Sequence, residues 1–192
     1  MQITKTTETA SNVVFDSILE VRPGGAVVAV ADLSLTTLAA GTPVGKDSNG
    51  LFHVEKTAEM QDAATNTATD YKVKKGHQFK VGDFIATGLS LKAYAITAIT
   101  TTETAYDTIS VGTTLGVALV AGDILLQATA QSTGTTSAYK YTPIGLVAQD
   151  YTVTANDNLA VAVVVRGSVR TALAPPLHSS IRSTLNTIRY VS

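Results

Sequence analysis

The chain has 192 residues, 45% of them hydrophobic and 15% charged, with a formal net charge of -1 and no cysteine. That composition belongs to a folded chain with a real core, and it excludes disulfide staples, thiolate metal sites and a cysteine nucleophile. The balanced charge excludes a broad basic footprint, so nucleic acid is not an expected partner.

Residues 1–12, "MQITKTTETASN", are polar, Thr-rich and aperiodic. They contain no apolar stretch of the kind a secretory signal needs. The segment reads first as a flexible arm, and alternatively as a strand that adds to another protein's sheet edge. "NVVFDSILEVR" is ambiguous between a short amphipathic element and a bent strand. Pro23-Gly24-Gly25 marks a turn, and "AVVAVADL" has the character of a buried strand. "LAAGTPVGKDSNGLFHV" reads as strand, turn, strand, with Asn49-Gly50 supplying a hairpin.

"EMQDAATNTATDY" reads as a loop. Beyond it, Val81-Gly82-Asp83-Phe84-Ile85 and Ala121-Gly122-Asp123-Ile124-Leu125 repeat one device, a Gly-Asp turn feeding an apolar strand. Segments such as "AYAITAITTTETAYDTISV" alternate at period two, as half-buried strands do. The Ser/Thr/Gly-rich stretch 131–140 reads as a loop or linker. "LAVAVVVRGSVRTA" is the most apolar strand expected, and Gly167 within it suggests a bulge or a close backbone approach. Its apolar core, Leu159–Val165, is far shorter than the roughly 20 residues of a membrane-spanning helix, so no membrane is expected. After Pro175-Pro176, Leu177, Ile181, Leu185 and Ile188 form a helical stripe, with Ser179 or Ser180 as the expected cap and Tyr190-Val191 as a last strand.

Chemistry-bearing patterns are sparse. His53, His77 and His178 share no metal-ligand spacing, and each reads as a structural histidine. "KDSNG" and "ANDN" lack the ligand count of a calcium loop, and Asp47, Asp83, Asp123 and Asp157 read as turn residues. No Ser lies in Gly-x-Ser-x-Gly, and Pro23-Gly24-Gly25 lacks the Lys of a phosphate loop. No catalytic, cofactor-binding or metal residue is therefore assigned, and an enzyme is not expected. The seven tyrosines, with no tryptophan, read mainly as strand and packing residues; Tyr94 or Tyr106 beside a cleft would instead suit a glycan.

The C-terminal quarter resembles tailed-phage head decoration proteins of the lambda capsid-stabilising type. The parts are Gly145-Leu146-Val147, Asp150, Ala160–Val165, Arg166-Gly167-Ser168-Val169, Ala172-Leu173, Pro175-Pro176 and Ile181–Ile188. Upstream, "LAAGTPVGK" (38–46) resembles the family's early Ala-Gly-Thr turn. In compact members the two pieces lie closer together, so 47–138 reads as an inserted or enlarged β-domain.

The expected fold is mainly β (α+β): a lambda-type head-decoration β-fold with a short C-terminal helix, plus an inserted small β-barrel-like domain. The expected division is a flexible arm (1–22), a decoration-like body (23–46 and 139–192) and the insert (47–138). The resemblance implies a homotrimer on the outer surface of a phage head, made in the bacterial cytoplasm, with the major capsid protein as partner. The candidate capsid contacts are Ile3, Thr4, Thr6, Thr7 and Thr9 in the arm. The alternative is a head fibre or surface-displayed module that recognises a host glycan or receptor through the insert.

Overall fold

The computed structural model describes residues 13–155 and 157–192. In chain order the first strands are β1 (Phe15–Val21), β2 (Ala26–Val28), β3 (Thr37–Leu38), β4 (Pro43–Lys46) and β5 (Phe52–Val54). Then come β6 (Thr57–Glu59), β7 (Asp70–Lys74), β8 (Phe84–Ala86), β9 (Ala93–Thr100), β10 (Tyr106–Val111) and β11 (Ile124–Ala128). The chain closes with β12 (Pro143–Val147), β13 (Tyr151–Thr152), β14 (Leu159–Val161), β15 (Val163–Arg170), helix α1 (Ser179–Thr184) and β16 (Ile188–Val191). The protein is mainly β, with one short helix near the C-terminus among the described residues.

One sheet, the body, runs β1-β15-β12-β4-β5-β2-β14, with β16 added in parallel beside β15. The apolar run expected as one strand is broken at Ala162 into β14 and β15. A single residue thus joins the end strand β14 to β15, the second strand from the other end of the order, and the sheet has to curl to allow it. Tyr151 Oη accepts the Ala162 amide at 2.8 Å and fixes the break.

Within the run, β15 is buried on both faces, whereas Ala160 in β14 is exposed. Val147, Val161 and Val163 pack with Val28, Leu38, Phe52 and Val54 on one side. Leu146, Val164 and Val169 pack with Leu177, Ile181, Leu185 and Ile188 on the other. The expected C-terminal stripe is therefore buried as a unit, although only Ile181 lies within α1 itself. The cap is His178 rather than Ser179 or Ser180. Its Nδ1 accepts the Ser180 amide at 3.1 Å, and burial lowers the ring's pKa, leaving that nitrogen free to accept.

The second unit is a six-stranded antiparallel sheet, β6-β11-β8-β9-β10-β7, curled until its edges meet at a bridge between Met60 and Val73. It has its own core, including Met60, Tyr71, Phe79, Ile85, Ile96, Ile109 and Leu125. Each buried apolar side chain of this size contributes about 1.5–3 kcal/mol.

Two boundaries differ from the expected ones, and the stretch expected as a loop or linker is a loop packed onto the barrel. Residues 15–21, assigned to the arm, are β1, because Val14 and Phe15 are buried in the body core. β5, assigned to the insert, pairs with β4 and β2 in the body. The linker 131–140 is docked: Ser132 and Ser137 are buried, and their hydroxyls donate to the carbonyls of Leu91 and Gly88.

Gly167 is the close approach expected. Ile18 lies opposite it across an irregular β1–β15 register, and a Cβ there would collide with the Ser17 carbonyl oxygen.

Candidate functional site

Two features of the described residues go beyond packing: an open sheet edge and a charged seam. The edge is β1, which pairs with β15 on one side and has no strand on its outer side among the described residues. Ile18, Leu19 and Val21 on it are exposed, Leu19 at 69%, and Val13 just before it is exposed as well. An unpaired edge carrying several exposed aliphatic side chains is a template for another strand. Asp16 and Glu20 put acidic groups along it, and Asp16 pairs with Arg170 at 2.8 Å. The candidate contacts Ile3, Thr4, Thr6, Thr7 and Thr9 lie outside the described residues.

The seam lies where the chain leaves the body (54–57) and returns to it (139–141). Asp83, in the first Gly-Asp turn, is its hub. Its Oδ2 accepts Lys56 Nζ at 2.8 Å and the Lys80 amide at 2.9 Å. Its Oδ1 accepts Gln127 Nε2 at 2.9 Å, with Lys140 Nζ 4.0 Å away. Lys56 is only 3% exposed, so its pair with Asp83 is a buried ion pair that holds the outgoing segment to the barrel. A pair of this kind matters most when it is broken, because the remaining charge is stranded.

Glu55 stands beside it, fully buried. Its Oε2 accepts the Tyr141 amide at 2.8 Å, while Oε1 has no partner among the described residues. Burial pushes the carboxyl's pKa up to about 9, and the negative Asp83 adds to this; the Tyr141 amide and Lys140 oppose it. Glu55 is therefore a neutral acid at pH 7. Gln127 Oε1, in β11, and Tyr139 Oη, in the returning crossing, are also buried without partners among the described residues.

Behind Glu55, His53 stacks on Tyr141 with ring centroids 4.2 Å apart and planes at 8°. Its Nδ1 meets Asp32 at 2.5 Å and its Nε2 lies 3.6 Å from Asp47. The two carboxylates face opposite nitrogens of one ring, so they do not converge on a common ion. Desolvation raises the pKa of Asp47, but the amides of Leu51 and Asn49, with His53 alongside, bring it below the ordinary carboxylate value. His77 is held by burial below its ordinary pKa, and its Nδ1 accepts the Phe79 amide at 3.2 Å. All three histidines thus have defined local partners.

Further ties cross the seam. Lys80 Nζ donates to the Ala31 carbonyl at 2.7 Å, the Ser34 amide to Gln78 Oε1 at 2.9 Å, and Thr57 Oγ1 to the Pro176 carbonyl at 2.6 Å. Tyr94 and Tyr106 are half-buried on the barrel, and Lys72 lies 5.0 Å from the Tyr106 ring centre. Neither tyrosine lines the cavity at the seam. Sequence reasoning placed Asp83 in a turn and did not single out Glu55 or Lys56. The one available signal was a charged Glu-Lys pair between the apolar residues of "FHVEKTAEM". No protein-family model, characterised protein or solved structure matches the chain.

Proposed function

We propose that this chain is a structural virion protein: a capsid decoration protein that binds the outer surface of a tailed-phage head as a homotrimer and stabilises it. The observation that carries the reading is how the two sequence pieces of the family resemblance meet. The Ala40-Gly41-Thr42 turn and the segment from β12 to Asp150 are far apart in the chain, yet they bond directly. The Ala40 amide donates to Asp150 Oδ1 at 2.7 Å, the Gly41 amide to the Val147 carbonyl at 2.7 Å, and the Val147 amide to the Thr42 carbonyl at 2.9 Å. Of the intervening residues, those from β6 to β11 form a barrel with its own core, as an insertion into a compact body would.

The open β1 edge supports the partner side of this reading. Its exposed aliphatic residues suit burial against a neighbouring copy or the major capsid protein, with main-chain hydrogen bonds added along the edge. A partner that binds only the assembled shell stabilises it by mass action. The second reading, a head fibre or displayed module that binds a host glycan, draws on the barrel's separate core.

The test is the solution mass by light scattering, followed by co-sedimentation with expanded heads of the encoding phage. A mass near three times 19.9 kDa and sedimentation with the heads are expected. Deleting residues 1–12 should weaken that binding and leave the circular dichroism spectrum unchanged. A monomer that stays in the supernatant, with or without the arm, would overturn the proposal.

A further inference from the structure

The buried pair at the seam is also a pair of reactants. Lys56 stands just before β6 and Asp83 just before β8, and both strands pair antiparallel with β11. Gln127, in β11, therefore lies between them and holds both. Its amide donates to the Lys56 carbonyl at 2.9 Å, and its side-chain Nε2 donates to Asp83 Oδ1 at 2.9 Å. The Lys80 amide fixes the other carboxyl oxygen, Oδ2, at 2.9 Å. Lys56 Nζ donates to that same Oδ2 at 2.8 Å, so the carboxyl carbon lies one bond beyond its contact. Two groups held this close on a rigid frame react as if at very high concentration.

The surroundings favour losing the charges. The Lys56 and Asp83 side chains are only 3% and 11% exposed. An ammonium has three N–H donors, and Asp83 is the one acceptor for that of Lys56 among the described residues. Burying two ions carries a desolvation penalty that their attraction offsets only with good geometry and full hydrogen bonding. An amide in their place is neutral. Glu55, a neutral acid at pH 7, supplies no second anion to the cluster. Lys140, the other amine near Asp83, is 4.0 Å from Oδ1 and 37% exposed, so its charge stays hydrated.

We propose that Lys56 and Asp83 condense to an intramolecular amide, an isopeptide crosslink between the start of the barrel and its first Gly-Asp turn. The ammonium passes one proton to Oδ2 along the existing hydrogen bond. The neutral Nζ then attacks Cγ, and negative charge gathers on Oδ1, where the Gln127 Nε2–H already points. A second proton moves from Nζ to Oδ2, the Cγ–Oδ2 bond breaks, and one water leaves. No oxidant or co-reactant enters the balance. The bond staples positions 27 residues apart, where the chain enters the barrel, and it does not depend on the structural role above.

The test is intact-mass spectrometry of the full-length protein, denatured after overnight incubation at neutral pH, followed by tryptic mapping. The expected mass is that of the sequence less one water. Trypsin should not cut after Lys56, and one branched peptide should join 47–72 to 81–92. Lys56→Arg and Asp83→Ala should each show the full mass of their own sequence. Gln127→Met keeps the backbone contact and loses the side-chain donor, so linkage after a short induction should be slowed about a hundredfold. A full sequence mass with cleavage after Lys56 in the unmodified protein would overturn the crosslink, and so would a lost water that maps elsewhere. An unchanged linkage rate in Gln127→Met would overturn the role of Gln127. The mass and the peptide map use the unmodified protein and do not depend on any variant folding.

Discussion

The two Gly-Asp turns of the barrel are the same object in different surroundings. In Lys80–Asp83 and Val120–Asp123 the aspartate amide donates to the carbonyl three residues back, at 3.1 Å in each. The aspartate Oδ2 then accepts that residue's amide, at 2.9 and 2.8 Å. The glycines have φ of 94° and 92°, the left-handed region open to Gly at little cost. The carboxylates differ in what else they hold. Asp123 serves its own turn, whereas Asp83 also holds Lys56 and Gln127 at the seam. Local chemistry makes the turn; its position decides whether the carboxylate is a local cap or a tie between units.

The contrast breaks first at the carboxylates. Asp83→Ala strands a buried ammonium and should cost about 3–5 kcal/mol. Asp123→Ala loses a local hydrogen bond and should cost about 1 kcal/mol. Urea unfolding of both variants checks this, and equal losses would remove the distinction. Adding Lys56→Met to Asp83→Asn should recover stability relative to either single change, because a neutral pair leaves no buried charge.

Glu55 sharpens the comparison through pH. Its folded-state pKa of about 9 lies above its ordinary value of 4.5, so the native state holds the proton more tightly than the unfolded chain. Its contribution is fully present below pH 4.5 and is lost as pH rises towards 9, at a slope approaching about 1.4 kcal/mol per pH unit. Glu55→Gln, which cannot ionise, should flatten that part of the stability profile and leave the variant more stable than the parent near pH 9. Parallel profiles for the two proteins would show that Glu55 does not titrate in this range.

The smallest difference between the two turns should come from the glycines. A Cβ on Gly82 or Gly122 meets nothing within 4 Å, so each Ala substitution pays only for its positive φ, about 1–2 kcal/mol. The two Tm shifts should match closely. A much larger shift for Gly82→Ala would mean that its turn moves and carries Asp83 with it.

Much of this was legible along the chain. The hairpin at Asn49-Gly50, the paired Gly-Asp turns, the close approach at Gly167 and the burial of Leu177, Ile181, Leu185 and Ile188, though not one helix through all four, follow from local composition and spacing. Three features were not. The break at Ala162 lies inside an unbroken apolar run, since strands buried on both faces show no alternation to mark their ends. β5 follows a strong turn signal but takes its place from pairing with β2 as well as β4. Glu55, Lys56 and Asp83 form one cluster only because two distant crossings and a turn converge.

Sequence by itself determined the β class, the turns and the residues that must be buried, because steric preference and hydrophobic period act over a few neighbours. Tertiary structure alone decided strand partners, the extent of each unit and the charge state of Glu55. Those depend on which groups are brought together across the fold and how far water is excluded from them.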